Sequence, residues 1–355
     1  MKLYKCIGKS KILLIWTLVL LCFAGLFIFS EECKDGALNG ILMCMGVLVP
    51  SLFPFFILAS FLAESQILSL ITPWLNPVSK ILLGLRGICL TPVILALVGG
   101  YPVGAKAVKS LYKNGSISTE EAQRLSVICC FAGPGFLVTF VGSSLLFSKE
   151  SGIILLSSQI ISCILLCFVS RFVFGKAQNK CEVCFPKRCS VSEALVNSVN
   201  SAVKSTAGMC GFVIAFSILC NILTEGCNAN NIVGKFVVAL LEITTGVNTL
   251  CTETSLELIS ALTAFGGVCV HFQIFMELKG IPFSKLRFYI FRFVQSAVCF
   301  FSTKLLLLAF PVTDMVFSTT ASKPELSFYS GIAGTIALLI TSALFIISVK
   351  NKRIS

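Results

Sequence analysis

Gly99-Gly100-Tyr101-Pro102-Val103-Gly104-Ala105-Lys106 decides how the rest of the chain is read. It closes an apolar run, Gly87 to Val98, that is short for a bilayer crossing, which takes roughly 17–25 residues. Three glycines and a proline then break the backbone, and the chain restarts as a helix carrying lysines. Inside a membrane a backbone breaks only where protein or water, not lipid, meets the freed N–H and C=O groups. Interrupted apolar segments occurring in both halves of a chain point to the binding site of a secondary transporter.

Composition fits a membrane setting. The 355 residues are 56% hydrophobic and 12% charged, with a mean hydropathy of +0.95, whereas soluble domains carry about 25% charged residues. The net charge of +12 orients loops in such a chain, and no nucleic-acid partner is inferred from it. Most of the eighteen cysteines sit in apolar segments, as at Cys44, Cys163, Cys167, Cys220 and Cys299, where Cys serves as a small hydrophobe. Cys181, Cys184 and Cys189 cluster in a polar loop without a fourth ligand nearby, and structural zinc takes four. Reduced cytosolic thiols are expected there, with no metal and no cofactor.

Eight apolar runs are long enough to span: Ile12–Phe29, Ala37–Ala63, Leu125–Phe147, Gly152–Phe174, Ala207–Leu223, Leu256–Met276, Tyr289–Phe310 and Phe328–Val349. Two more, Gly87–Gly100 and Ile232–Leu250, are short and broken. The first run follows four lysines and ends in Ser30-Glu31-Glu32 with no small-x-small cleavage site, so it reads as an uncleaved signal anchor rather than a signal peptide. Pro50 and Pro54 are expected to kink Ala37–Ala63.

Charges then set the topology. With a cytosolic N-terminus, eight crossings and two re-entrant short segments, all but five of the 28 basic residues fall on the cytosolic side. The five are Lys34, Lys149, Lys235, Lys304 and Lys323. Letting Gly87–Gly100 cross would set the Lys80/Arg86 cluster opposite the one from Lys106 to Arg124. The expected fold is an all-α polytopic membrane protein with about eight transmembrane helices plus two re-entrant broken segments, both termini cytosolic. After the anchor (1–35), residues 36–175 and 193–310 show the same element order in opposite orientation, an inverted repeat. A basic cytosolic linker (176–192) joins them, and an outer loop with a last transmembrane helix (311–355) follows.

No enzyme constellation is present: there is one histidine, and no H-E-x-x-H, G-x-S-x-G or Walker loop. Candidate binding residues gather at the breaks. Glu242, inside Val237–Gly246, is an ionisable group at membrane depth and so a candidate for a coupling cation, a proton or the substrate. Thr244, Thr245, Gly246 and Asn248 accompany it; the plain alternative is a shallow Glu242 facing water. His271 and Gln273 follow Gly266-Gly267 inside an apolar run and must find partners. His271 is a proton-relay candidate or a structural hydrogen-bonder. Gly133-Pro134-Gly135 interrupts Leu125–Phe147, as a packing kink or as unwound carbonyls at the site. Lys106 either meets an anionic substrate or joins Lys109 and Lys113 on a lipid-facing basic stripe. Tyr101 is a binding contact or an interfacial anchor. Asn114-Gly115 should end that helix, and Ser118-Thr119-Glu120-Glu121 should cap the next.

Gly100-Tyr101-Pro102-Val103-Gly104-Ala105-Lys106, Ala132-Gly133-Pro134, Leu241-Glu242-Ile243-Thr244-x-Gly246 and Gly266-Gly267-x-x-Val270-His271-x-Gln273 resemble motifs of the YlbJ-type sporulation integral membrane proteins (stage V sporulation protein V). The likeness covers nearly all of the chain after the first helix. That family carries two nucleoside-recognition gate domains and is similar to concentrative nucleoside transporters. Where polar residues are expected before Ala132-Gly133-Pro134, this chain has Cys129-Cys130-Phe131. The resemblance implies an endospore-former, a place in the outer forespore membrane, and movement of dipicolinic acid toward the spore. The expected substrate-binding set is Gly99, Gly100, Tyr101, Pro102, Gly104, Lys106, Gly133, Pro134, Gly135, Thr244, Thr245, Gly246, Asn248, Gly266, Gly267 and Gln273, with Glu242 and His271 for coupling. The expected partners are a small anionic substrate, the bilayer, a coupling ion (Na+ or H+) and room for a homo-oligomer. A nucleoside or nucleobase transporter and a non-transporting sporulation scaffold are the alternatives.

Overall fold

A computed structural model describes residues 16–17, 20, 24–64, 67–175 and 190–312. Most of the first apolar run, the linker cysteines Cys181, Cys184 and Cys189, and Phe328–Val349 lie outside them. Every regular element among the described residues is helical.

The first long helix, Ser30–Leu62, comprises α1 (Ser30–Met43), a π turn (Cys44–Leu48) and α2 (Val49–Glu64). The expected proline kink is absorbed in that π turn. Pro50 lacks an N–H and its ring crowds the carbonyl four residues back, so the helix widens just before it. α3 (Ile67–Leu82) leads through a 3-10 turn (Gly87–Leu90) into α4 (Thr91–Gly99), with an 80° bend between Leu70–Leu82 and Gly87–Gly99. α5 (Tyr101–Lys113) folds back on α4 as a hairpin. Gly115, at φ +70°, turns the chain after it. A capping box opens α6 (Thr119–Ile128): Ser118 Oγ accepts from Glu121 N at 3.2 Å, and Glu121 Oε2 from Ser118 N at 2.8 Å.

Leu125–Phe147 does not cross as one helix. α6 stops at Ile128, residues 129–133 are non-helical, and a π-helix runs over Gly135–Leu145. α7 (Lys149–Phe174) is long and unbroken behind its Ser148 cap. Then come α8 (Val191–Asn221) with a π extension (Ile222–Gly226), the hairpin α9 (Ile232–Leu241) and α10 (Ile243–Leu250), α11 (Leu256–Phe265), α12 (Gly267–Glu277) and α13 (Lys285–Ala309).

One succession of elements thus occurs twice: long helix with a π segment, hairpin, broken helix, long unbroken helix. The long helices pack in antiparallel pairs, α1–α2 with α8 and α7 with α13. Along α1 and α8, a Cβ on Gly36 would meet Ile218 Cα at 2.8 Å and one on Gly40 would meet Ile214 Cα at 2.9 Å. Farther along, Cys44 Sγ donates to the Cys210 carbonyl at 3.9 Å. Small residues let the two backbones approach this closely. Along α7 and α13, Cys299 Sγ meets the Ser158 carbonyl at 3.7 Å, and at the opposite end the Phe174 and Phe291 rings lie 6.0 Å apart.

Five helices among the described residues are long and apolar enough to cross a membrane: Ser30–Leu62, Lys149–Phe174, Val191–Gly226, Leu256–Glu277 and Lys285–Ala309. The bent α3–α4 pair makes six if it is one span. The chain is a multi-pass membrane protein by these helices.

Candidate functional site

The four interruptions converge. Gly100 sits at φ +83° between α4 and α5, and the break after α6 lies against it: a Cβ on Gly133 would be 3.0 Å from Gly100 N. Gly266, at φ +88°, ends α11 and lies beneath Tyr101, whose ring a Cβ there would meet at 3.2 Å. Gly267, at φ +72°, abuts the last interruption, with Ile243 N 3.3 Å from its virtual Cβ. Left-handed φ values favour glycine, and backbones this close leave no room for a side chain. Tyr101 links the halves further by donating its hydroxyl hydrogen to the Thr263 carbonyl on α11.

Between the breaks lies a cavity of about 50 Å³. It brings together eight of the expected residues: Gly99, Gly100, Tyr101, Pro102, Gly133, Glu242, Thr244 and Gln273. Apolar walls come from Leu52 and Phe56 on α2, Phe136 on the π-helix, Met209 and Val213 on α8, and Val270 on α12. That volume holds a few waters, so the site is too narrow for a metabolite in this structure.

Among the described residues, Glu242 is the only charged side chain lining it. It is 1% exposed and caps α10: Oε1 accepts from Thr244 N at 3.0 Å and Oε2 from Thr245 N at 2.6 Å. A carboxylate on a helix N-terminus is stabilised by the first-turn N–H groups and the helix dipole, which is how the charge is tolerated here. Glu242 is thus buried rather than facing water. The α5 N-terminus, across the cavity, has no side-chain cap on Gly100. The two hairpin tips thus differ: one presents the carboxylate oxygens of Glu242, the other the positive end of the α5 dipole, where Pro102 has no N–H and Val103 N donates to the Gly100 carbonyl at 3.2 Å.

Thr245 and Asn248 point to a second cavity of about 600 Å³, with Asn39, Ser217, Asn221, Thr224 and Lys235 also in its lining. Glu242 and its first-turn neighbours separate the two spaces.

Other expected residues do not line the narrow cavity. Lys106 lines neither cavity and donates to Ser201 and Ser205 on α8. Gly104 and Gly246 are closure points. Each lies four residues past its break, and an added Cβ would collide with Ala96 or Ala239 on the hairpin's other arm. Gly135 packs on the Ser51 carbonyl of α2, Pro134 starts the π-helix, and Gly266 and Gly267 support the cavity from behind. His271 contacts the Phe265 carbonyl through Nε2 at 2.9 Å, ringed by Phe265, Phe288 and Tyr289. Its other ring nitrogen, Nδ1, is buried without a hydrogen-bond partner among the described residues.

Sequence reasoning missed two arginines. Arg124 and Arg292 count as cytosolic loop charges by topology, yet they are 2% and 1% exposed. Arg124 donates to Ser170 Oγ at 2.9 Å and to the Leu83 carbonyl. Arg292 donates through Nη2 to the Val127 carbonyl at 2.8 Å and through Nη1 to the Cys130 carbonyl. Those are the carbonyls freed where α6 stops. The available signal was its place inside the run Tyr289–Phe310, where a charge needs a partner. Among the described residues no three His, Cys, Asp or Glu side chains gather as a metal site.

Residues 45–170 match the family model Gate, described as nucleoside recognition. The chain is also 24% identical over 237 residues to the sporulation integral membrane protein YlbJ of Bacillus subtilis (strain 168), covering 61% of this chain. That match covers 58% of the relative, less than two thirds of its length. No solved structure matches the chain. Two of the four converging breaks, at Gly100 and Gly133, fall inside the matched segment, so part of the first half is similar to the nucleoside-recognition Gate family, and the chain is similar over more than half its length to a sporulation integral membrane protein.

Proposed function

We propose that this chain is an alternating-access membrane transporter built from two inverted Gate-type repeats, with its substrate held between the α4–α5 and α9–α10 hairpins. The observation that carries the reading is the convergence of four helix interruptions on one narrow cavity with Glu242 in its wall. Antiparallel packing of α1–α2 with α8, and of α7 with α13, supports the inverted relation, because members of inverted repeats run in opposite directions. The remaining transmembrane helices, the cytosolic termini and the outer forespore membrane belong to the same proposal.

The cavity selects its substrate by polarity. A negatively charged acceptor on the ligand meets the positive end of the α5 helix dipole. A donor on the ligand meets Glu242. Phe56 and Phe136 suit a flat ring. Dipicolinic acid carrying one proton offers all three features, whereas its dianion would set a second negative charge against Glu242. A nucleoside or nucleobase is the second reading, favoured by the description of the family matched at residues 45–170.

Binding to the purified chain tests both, by calorimetry with dipicolinate and with a panel of nucleosides. Dipicolinate should bind, more tightly at mildly acidic pH, and Glu242→Gln should weaken it at least about tenfold. Nucleoside binding in its place selects the second reading. Binding of neither, by a folded protein, would sink the transport assignment in favour of a scaffold.

A further inference from the structure

Arg292 is a buried cation without a buried anion. Among the described residues no carboxylate lies within ion-pair distance of it; the two ion pairs join Arg86 to Glu121 and Lys235 to Glu253. Its charge is answered by the Val127 and Cys130 carbonyls and by the Phe288 ring, 5.4 Å from the guanidinium. Both carbonyls sit at the C-terminal end of α6, the negative pole of that helix. The guanidinium comes from α13, in the other half of the chain, and its Nε has no partner among the described residues. The arrangement at Glu242 is the reverse: a tethered anion on the positive pole of α10. Each half therefore has one break neutralised by a charge of its own chain.

In transporters with discontinuous helices, unwound carbonyls and half-helix C-terminal ends are where a coupling Na+ is held. Here that position is filled covalently. Resting on the transporter reading above, we propose that Arg292 is a resident cation, occupying the carbonyls of the α6 break so that no monovalent metal ion binds there. Any cation coupling must then come from elsewhere, and the α6 break stays unwound through the cycle because its carbonyls are never released to solvent.

The test uses the full chain in detergent and needs no substrate, so a wrong transport assignment leaves its outcome readable. Melting is recorded in Na+, K+ and choline at equal ionic strength for the wild type, Arg292→Lys and Arg292→Ala. The wild type should melt alike in all three salts. Arg292→Ala should melt about 5 °C or more lower, and about 10 mM ethylguanidinium, but not ethylammonium, should restore at least half the loss by binding the native state. A sodium-specific rise in the wild type that disappears in Arg292→Lys overturns the proposal. So does a folded Arg292→Ala that melts like the wild type or ignores ethylguanidinium. If Arg292→Ala does not fold, the wild-type and Arg292→Lys salt series decide.

Discussion

Gln295 Nε2 donates to Gln159 Oε1 at 2.9 Å, with both side chains fully buried. The two glutamines hold the same place in the two halves: each lies ten residues past the first residue of its helix, behind the serine caps Ser148 and Ser284. Cys163 and Cys299 repeat the correspondence four residues later. In the proposed inverted-repeat arrangement, equivalent residues touch only beside the axis that relates the halves, and this contact would set that axis at the α7–α13 crossing.

The pair makes a sharp prediction. Gln159→Leu alone, or Gln295→Leu alone, strands a buried amide and should cost about 1–3 kcal/mol. The double Leu variant removes both and should recover at least half of the summed loss. A double-mutant cycle on unfolding in detergent checks this, and strictly additive losses would contradict it.

Glu242 has two roles that separate by substitution. Glu242→Gln keeps an oxygen for the α10 cap, so melting should fall little while ligand binding drops at least about tenfold. Glu242→Ala loses the cap as well, adding about 0.5–2 kcal/mol of destabilisation. Parallel melting and calorimetry distinguish the two, and equal binding by wild type and Glu242→Gln would remove Glu242 from the site.

Gly246→Ala and Gly104→Ala should each force a hairpin open, since the new methyl group lands on Ala239 or Ala96. Overpacking of this kind costs about 1–3 kcal/mol. Gly211→Ala, on α8 with nothing within 4 Å of the added carbon, is the matched control and should be neutral. Yield and melting temperature of the three variants give the answer.

Lys106→Met should leave ligand affinity within about twofold and instead loosen α5 from α8, because its ammonium is held by Ser201 and Ser205. Calorimetry on the folded variant measures the first effect and melting the second. A large affinity loss at unchanged stability would return Lys106 to the substrate.

Much of this was legible in the sequence because glycine and proline announce a broken backbone. Gly99-Gly100-Tyr101-Pro102 marks one hairpin tip, and the lone carboxylate in Val237–Gly246 marks the other. Gly133-Pro134-Gly135 likewise marked the α6 break, but not its extension back to Cys129. Its non-helical residues include Cys129, Cys130 and Phe131, all apolar, and hydropathy does not register an unwound backbone whose carbonyls are satisfied by a side chain 162 residues away in sequence. Charge counting erred for the same reason. It treats every arginine as a loop marker, whereas Arg124 and Arg292 are interior hydrogen-bond donors. Lys106 escaped because its partners are two serines on a helix that no local pattern links to it.

The bond from Arg292 to Cys130 also bears on how the protein is made. A chain emerging from the ribosome delivers α6 and its unsatisfied carbonyls long before α13 arrives to meet them, and α7 must likewise wait for Gln295. The first half is thus born with polar groups in an apolar setting and no means of its own to satisfy them. Truncation near the linker should therefore leave a species that membrane proteases and chaperones recognise, rather than a stable half-size carrier. Completion of synthesis, not insertion of the first helices, is the step that commits this protein to its native state.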